Sequence, residues 1–155
     1  IARAAASPFD LLVIDYTKDG SEETRLRPAE IERLKRKPDG SRRIVLAGFS
    51  QGAAVALHTG LRYPAALAGI MALSMPVPLP ERIASELNPA NARVPVFLAH
   101  GTQDHVVPYP MGEYGHRLLE QLGLPIEWHS YPMDHTVIQE EVSDIRAWLG
   151  RVLVA

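Results

Sequence analysis

Cysteine is absent from the chain. Disulfides, thiolate zinc sites and a cysteine nucleophile are thereby excluded, and the composition suits a reducing cytoplasm. Long apolar runs are missing as well. No stretch approaches a membrane span, and the first residues lack the pattern of a signal peptide. Neither sign of charge dominates: 16 Lys and Arg stand against 18 Asp and Glu, a net of −2. That balance offers no electrostatic footprint for nucleic acid or an anionic membrane. No set of His, Asp and Glu has metal-ligand spacing, and no glycine-rich phosphate loop follows an apolar run. Repeats, linkers and low-complexity segments are also lacking. Residue 1 is Ile, which fits a native start upstream or a processed one.

What is present fits one α/β domain with a single core. The 155 residues are 46 % hydrophobic and 22 % charged, as in ordinary globular chains. The organising stretch is Ile44 to Arg62. An apolar run, Ile44-Val45-Leu46-Ala47, reads as a buried parallel strand. Gly48-Phe49-Ser50-Gln51-Gly52 follows, and an alanine-rich helix begins without a gap. This is G-x-S-x-G between strand and helix, the context in which that motif lifts a serine above a sheet. The bare pattern arises by chance in about one chain in twenty of this length, so the context carries the reading. Ser50 is the candidate nucleophile.

The rest of the chain alternates strands and helices. Residues 9–16 form a candidate strand, 17–27 a polar loop and 28–37 a candidate helix with Pro28 in its first turn. Further strands are expected at 67–74, 94–99 and 126–131. Between them fall a stiff proline-rich loop at 75–80, a short helix at 81–87 and a helix at 111–122 with Met111, Leu118 and Leu122 on one side. A last helix, about 137–153, carries Ile138, Val142, Ile145, Leu149 and Val152 as its core-facing stripe. Such alternation predicts a mostly parallel sheet with helices on both faces, and chemistry at the carboxyl ends of its strands.

Three polar signatures fall at those ends, in the order Ser50, Asp104, His135. A serine hydroxyl needs a base, and the base needs an anion to fix its tautomer. Ser, Asp, His is the order met when the motif sits on an α/β sheet. Among rivals, His58 is read as packing or surface, His100 as a structural hydrogen-bonder and His105 as a lip residue. His116 and His129 lie within a helix and a strand. Asp134 would have to fold back on its neighbour to serve as orienter, so Asp104 is preferred.

Leu46-Ala47-Gly48-Phe49-Ser50-Gln51-Gly52, Leu98-Ala99-His100-Gly101-Thr102-Gln103-Asp104-His105-Val106-Val107-Pro108 and Tyr131-Pro132-Met133-Asp134-His135 together resemble the carboxylesterase and acyl-protein thioesterase family of bacterial α/β-hydrolases. The resemblance covers most of the chain after residue 43. It implies Ser50 as nucleophile, Asp104 as orienter, His135 as base and the Gln51 N–H as an oxyanion donor. It implies hydrolysis of short- to medium-chain carboxylic esters, or of thioesters, without a cofactor. A catalytically dead, hydrolase-like binding protein is the alternative of another class. Family members carry a Leu-His-Gly-x-Gly loop that supplies a second donor. Nothing in residues 1–43 matches it, so the fold is expected to be abbreviated, with residues 1–27 atypical. The family also has Gly where this chain has Ala53 and Asp134; the extra charge of Asp134 would favour a protonated base. Met75, Val77 and Leu79 are candidates for the acyl side of the pocket. A small-molecule ester is the expected partner, with a homodimer or higher oligomer protecting the N-terminal sheet edge.

Overall fold

A computed structural model describes residues 10–14, by backbone alone, and residues 44–153. Its strands are β1 (Asp10–Ile14), β2 (Ile44–Phe49), β3 (Gly69–Leu73), β4 (Val96–Gly101) and β5 (Ile126–Tyr131). They form one sheet in the order β1-β2-β3-β4-β5, every neighbouring pair parallel. The helices are α1 (Gln51–Arg62), α2 (Pro80–Glu86), α3 (Tyr109–Gln121) and α4 (Gln139–Val152). The helix expected over 28–37 lies outside the described residues.

Side chains alternate across the strands, so each sheet face has its own core. Leu46, Ile70, Ala72, Val96 and Leu98 pack under α1, α2 and α3, against Ala53, Ala56, Leu57, Ile83 and Leu119. Val45, Ala47, Met71, Leu73 and Phe97 face the other way, toward Trp148, Ile145 and Leu149 of α4. Helices thus cover both faces, as the alternating pattern predicts. With both faces covered, β3 and β4 are buried along their whole length and β2 along nearly all of it, which is why they read as continuous apolar runs. The fully buried Asn91 holds the turn after α1. It donates to the carbonyls of Tyr63 and Ala65 and accepts the Leu67 N–H, all at 2.9 Å.

Two helix faces differ from the sequence expectation. Met111 of α3 is 45 % exposed; Leu118 and Leu122 pack partly buried on the core as expected, and the buried positions of the helix are Gly112, Gly115 and Leu119. The glycines let α3 approach closely: a Cβ at 112 would strike the His100 ring, and one at 115 the Val77 side chain. On α4, Val142 is 39 % exposed, while Glu141 and Trp148 are fully enclosed. Ile138, Ile145, Leu149 and Val152 pack on the core as expected, and the stripe is widened by Trp148, which lies against Gly69 and Phe97.

Candidate active site

The turn at Ser50 follows from close approach. Gly48 lies so near the Gly52 backbone that a Cβ would overlap the Gly52 carbonyl group. The chain turns through Ser50 with φ 55 and ψ −121, a left-handed φ that costs about 1–3 kcal/mol outside glycine. Two bonds stabilise it. The Ser50 N–H donates to the Leu73 carbonyl at 2.8 Å, and the Ser50 carbonyl accepts the Ala54 N–H at 3.1 Å. Helix α1 starts at the next residue, so the Gln51 N–H belongs to the unpaired donors of a helix start.

Asp104 follows β4, and its loop turns on its own carboxylate. Oδ1 accepts the N–H groups of Val106 at 2.9 Å and Val107 at 2.8 Å. Oδ2 faces His135 Nδ1 at 2.8 Å. Burial raises this carboxyl, only 5 % exposed, but the bonds from His135, Val107 and Val106 outweigh it and hold it below the usual range. A carboxylate can only accept, so Nδ1 carries the proton and Nε2 is left with its lone pair free. The His135 ring packs on Phe49, the residue before Ser50, with centroids 4.7 Å apart. That contact sets the imidazole beside the serine turn. Ser50 and His135 are not hydrogen-bonded to each other, a spacing common in sites without substrate.

Of the remaining histidines, His100 also approaches Asp104, its Nε2 lying 3.4 Å from Oδ2. His100 is buried, and its Nε2–H donates to the Val107 carbonyl at 2.8 Å, closing the Asp104 loop from below. His105 is exposed, His116 stacks on Trp128, and His129 lies 3.1 Å from Glu127. His58 sits in α1, its pKa lowered by burial and then by the Arg62 charge. Asp134 does not reach the imidazole: its Oδ1 accepts the backbone N–H groups of His105 and His135. Met75 is buried and shares a small void with Ala72, Leu98, His100 and Trp128. Val77 lies against Gly115, and Leu79 is 43 % exposed with φ 46.

Two features escaped the sequence reading. One bond of Asp134 reaches His105, 29 residues away, and no local pattern announces it. Glu141 reads as an ordinary acid in a first helical turn, yet it is enclosed. Among the described residues, no group of three or more His, Asp or Glu could hold a metal ion, and no helix is long and apolar enough to cross a membrane.

Chemically, the arrangement offers an oxygen nucleophile on a strained turn, a neighbouring imidazole with a fixed tautomer, and free N–H groups at a helix start. The model of the phospholipase/carboxylesterase family matches residues 25–153. Acyl-protein thioesterase 1 of Mycosarcoma maydis is 38 % identical over 169 residues, covering 95 % of this chain and 69 % of that protein. Acyl-protein thioesterase 1 of Gibberella zeae is 40 % identical over 114 residues, covering 72 % of this chain and 48 % of its own length. Among solved structures, the esterase PE8 superposes with a TM-score of 0.73 at 35 % identity, over 81 % of this chain and 58 % of that one. The chain therefore spans about half to two thirds of the length of these relatives.

Proposed function

Because the chain belongs to the phospholipase/carboxylesterase family, we propose that it is a serine hydrolase that cleaves short- to medium-chain carboxylic esters through an acyl-enzyme. The observation that carries this reading is the 2.8 Å pair of Asp104 and His135, packed beside the strained turn at Ser50. In the proposed reaction His135 Nε2 takes the Ser50 proton as Oγ attacks the ester carbonyl. The developing oxyanion is met by the Gln51 N–H. Collapse expels the alkoxide, which leaves as the alcohol with the proton from His135. Water, deprotonated by the same nitrogen, then releases the acid and frees Ser50. Asp104 holds the tautomer throughout. The loop of Met75, Val77 and Leu79 is the proposed acyl side, with Leu79 the most accessible of the three.

A second reading, hydrolysis of acyl thioesters, is favoured by the relatives, which are named acyl-protein thioesterases. The chemistry is the same with a better leaving group. A nitrophenyl butyrate assay tests the first reading: a product burst is expected, and it should vanish in Ser50→Ala. Parallel turnover of an acyl thioester of equal chain length ranks the two. Absence of any burst, with no labelling of Ser50 by a fluorophosphonate, would favour a binding protein instead.

Absence of cysteine supports a cytoplasmic setting for this activity. Homodimerisation, or a higher oligomer, is proposed through β1. That strand lies at one edge of the five, with the apolar sequence Asp-Leu-Leu-Val-Ile, and such an edge invites pairing. Light scattering during gel filtration checks it, a monodisperse monomer being the contrary result.

A further inference from the structure

We infer that Asp134 is a positioning residue that staples the loop bearing Asp104 to the loop bearing His135, a role that rests on reading those two as orienter and base. Oδ1 of Asp134 accepts the His105 N–H at 3.0 Å and the His135 N–H at 2.8 Å. His105 directly follows Asp104, and His135 is the proposed base itself. One oxygen thus spans, through two backbone N–H groups, the gap that Asp104 and His135 span through their side chains.

Lower down, the same two loops are joined mainly through backbone groups, with the Thr102 hydroxyl adding a bond to the Tyr131 carbonyl at 3.2 Å. The Thr102 N–H donates to the Tyr131 carbonyl at 2.8 Å, and the Gln103 N–H to the Met133 carbonyl at 3.0 Å. At the top of this ladder the acceptor changes from a backbone carbonyl to a side chain. Without it, the His105 and His135 amides would have only water. Bonds to an ionised carboxylate are about twice as strong as neutral ones. Both converge on one atom, so sliding one loop past the other stretches both. The bonds from His105 and then His135 also hold the Asp134 carboxyl below its ordinary range. Its Oδ1 is directed at amides, while the imidazole Nδ1 faces Asp104. A glycine here, the residue implied by the family resemblance, has no side chain to make either bond.

Three forms of the full chain separate the bonds from the charge. Asp134→Asn keeps an Oδ1 acceptor and removes the charge; Asp134→Ala removes both; wild type keeps both. Amide hydrogen exchange at His105 and His135, read by NMR, reports the staple without any turnover. Both amides should be protected in wild type and Asp134→Asn, and should exchange about tenfold faster in Asp134→Ala, as expected for loss of one hydrogen bond each. For a nitrophenyl ester, kcat should fall about three- to tenfold in Asp134→Ala with KM unchanged, and recover to within about twofold of wild type in Asp134→Asn. Wild-type exchange in Asp134→Ala would overturn the staple. Lost protection with undiminished kcat would overturn the positioning role. So would an equal loss in Asp134→Asn and Asp134→Ala, which would make the charge the agent. If wild type neither turns over the ester nor labels at Ser50, the hydrolase reading fails on its own. Amide exchange then still decides the staple.

Discussion

At the end of β2 the turn is held by close approach and backbone hydrogen bonds, whereas at the ends of β4 and β5 side-chain carboxylates are added to both. Around Ser50 Gly48 lies directly against the Gly52 backbone, two backbone hydrogen bonds hold the turn, and no side chain caps the helix that follows. Around Asp104 and His135 the path is set by carboxylates. Asp104 takes two N–H groups of its own loop and the imidazole, Asp134 takes one N–H from each loop, and His100 closes the base of the Asp104 turn. The difference is instructive. A proposed nucleophile that is activated by a separate base needs above all to be held in position, and close packing with backbone bonds does that. An acid–base pair must be oriented and charged correctly, and only polar contacts do both.

The largest effect should come from removing chemistry at either end. Ser50→Ala and His135→Ala should each lower kcat on the order of 10³-fold or more, and the double variant should be hardly worse, because the groups act as a unit. Clearly additive losses in stopped-flow assays would mean that the two ends do not cooperate.

Asp104→Asn separates position from charge at the hydrogen-bonded end. The asparagine oxygen can still accept the Val106 and Val107 N–H groups, so the loop should keep its shape. Its amide NH₂ would then face His135 and force the proton onto Nε2, the wrong nitrogen for a base. A loss of about 10²-fold or more in kcat is expected, with the thermal midpoint little changed. Near-wild-type turnover would assign the orienting role to another group.

Devices with a local signature or a fixed chain order proved easier to read than contacts without one. The serine turn was legible because its constraint is local: glycines at fixed spacing between an apolar run and an alanine-rich helix. The order Ser50, Asp104, His135 was legible because a parallel sheet brings the ends of its strands to one edge. The inward side of α3 was not, since close packing there is achieved by Gly112 and Gly115, which hydropathy does not count as core. Nor was the Asp134 bond to the His105 N–H, 29 positions away, which has no signature in sequence.

Gly48→Ala probes the steric end. The added methyl would meet Gly52 backbone, which has no flexible side chain to yield. Overpacking against a fixed neighbour should cost about 3 kcal/mol, lowering the thermal midpoint by about 10 °C. A midpoint within about 2 °C of wild type would show that close approach is not what holds the turn.

The smallest expected effect concerns the one acid near the hydrogen-bonded end that enjoys neither device. Glu141, in the first turn of α4, is fully buried, and neither carboxylate oxygen makes a well-formed hydrogen bond. Burial raises its pKa from 4.5 to about 7, opposed by the nearby Ile138 N–H and assisted by the Asp144 charge. Below pH 4.5 the side chain is protonated in both folded and unfolded chains, so it exacts no penalty. Between pH 4.5 and 7 the unfolded chain releases the proton while the folded one keeps it, and stability falls as pH rises. Above pH 7 the penalty is complete, on the order of 3 kcal/mol at most. Glu141→Gln has no proton to lose. Its stability relative to wild type should therefore rise from pH 5 to pH 7 and level off by pH 8, as read from urea midpoints. Taking the difference between the two proteins cancels every other titrating group, provided the substitution leaves them in place. A difference that stays flat with pH would mean that Glu141 finds, in the folded chain, a partner as good as water.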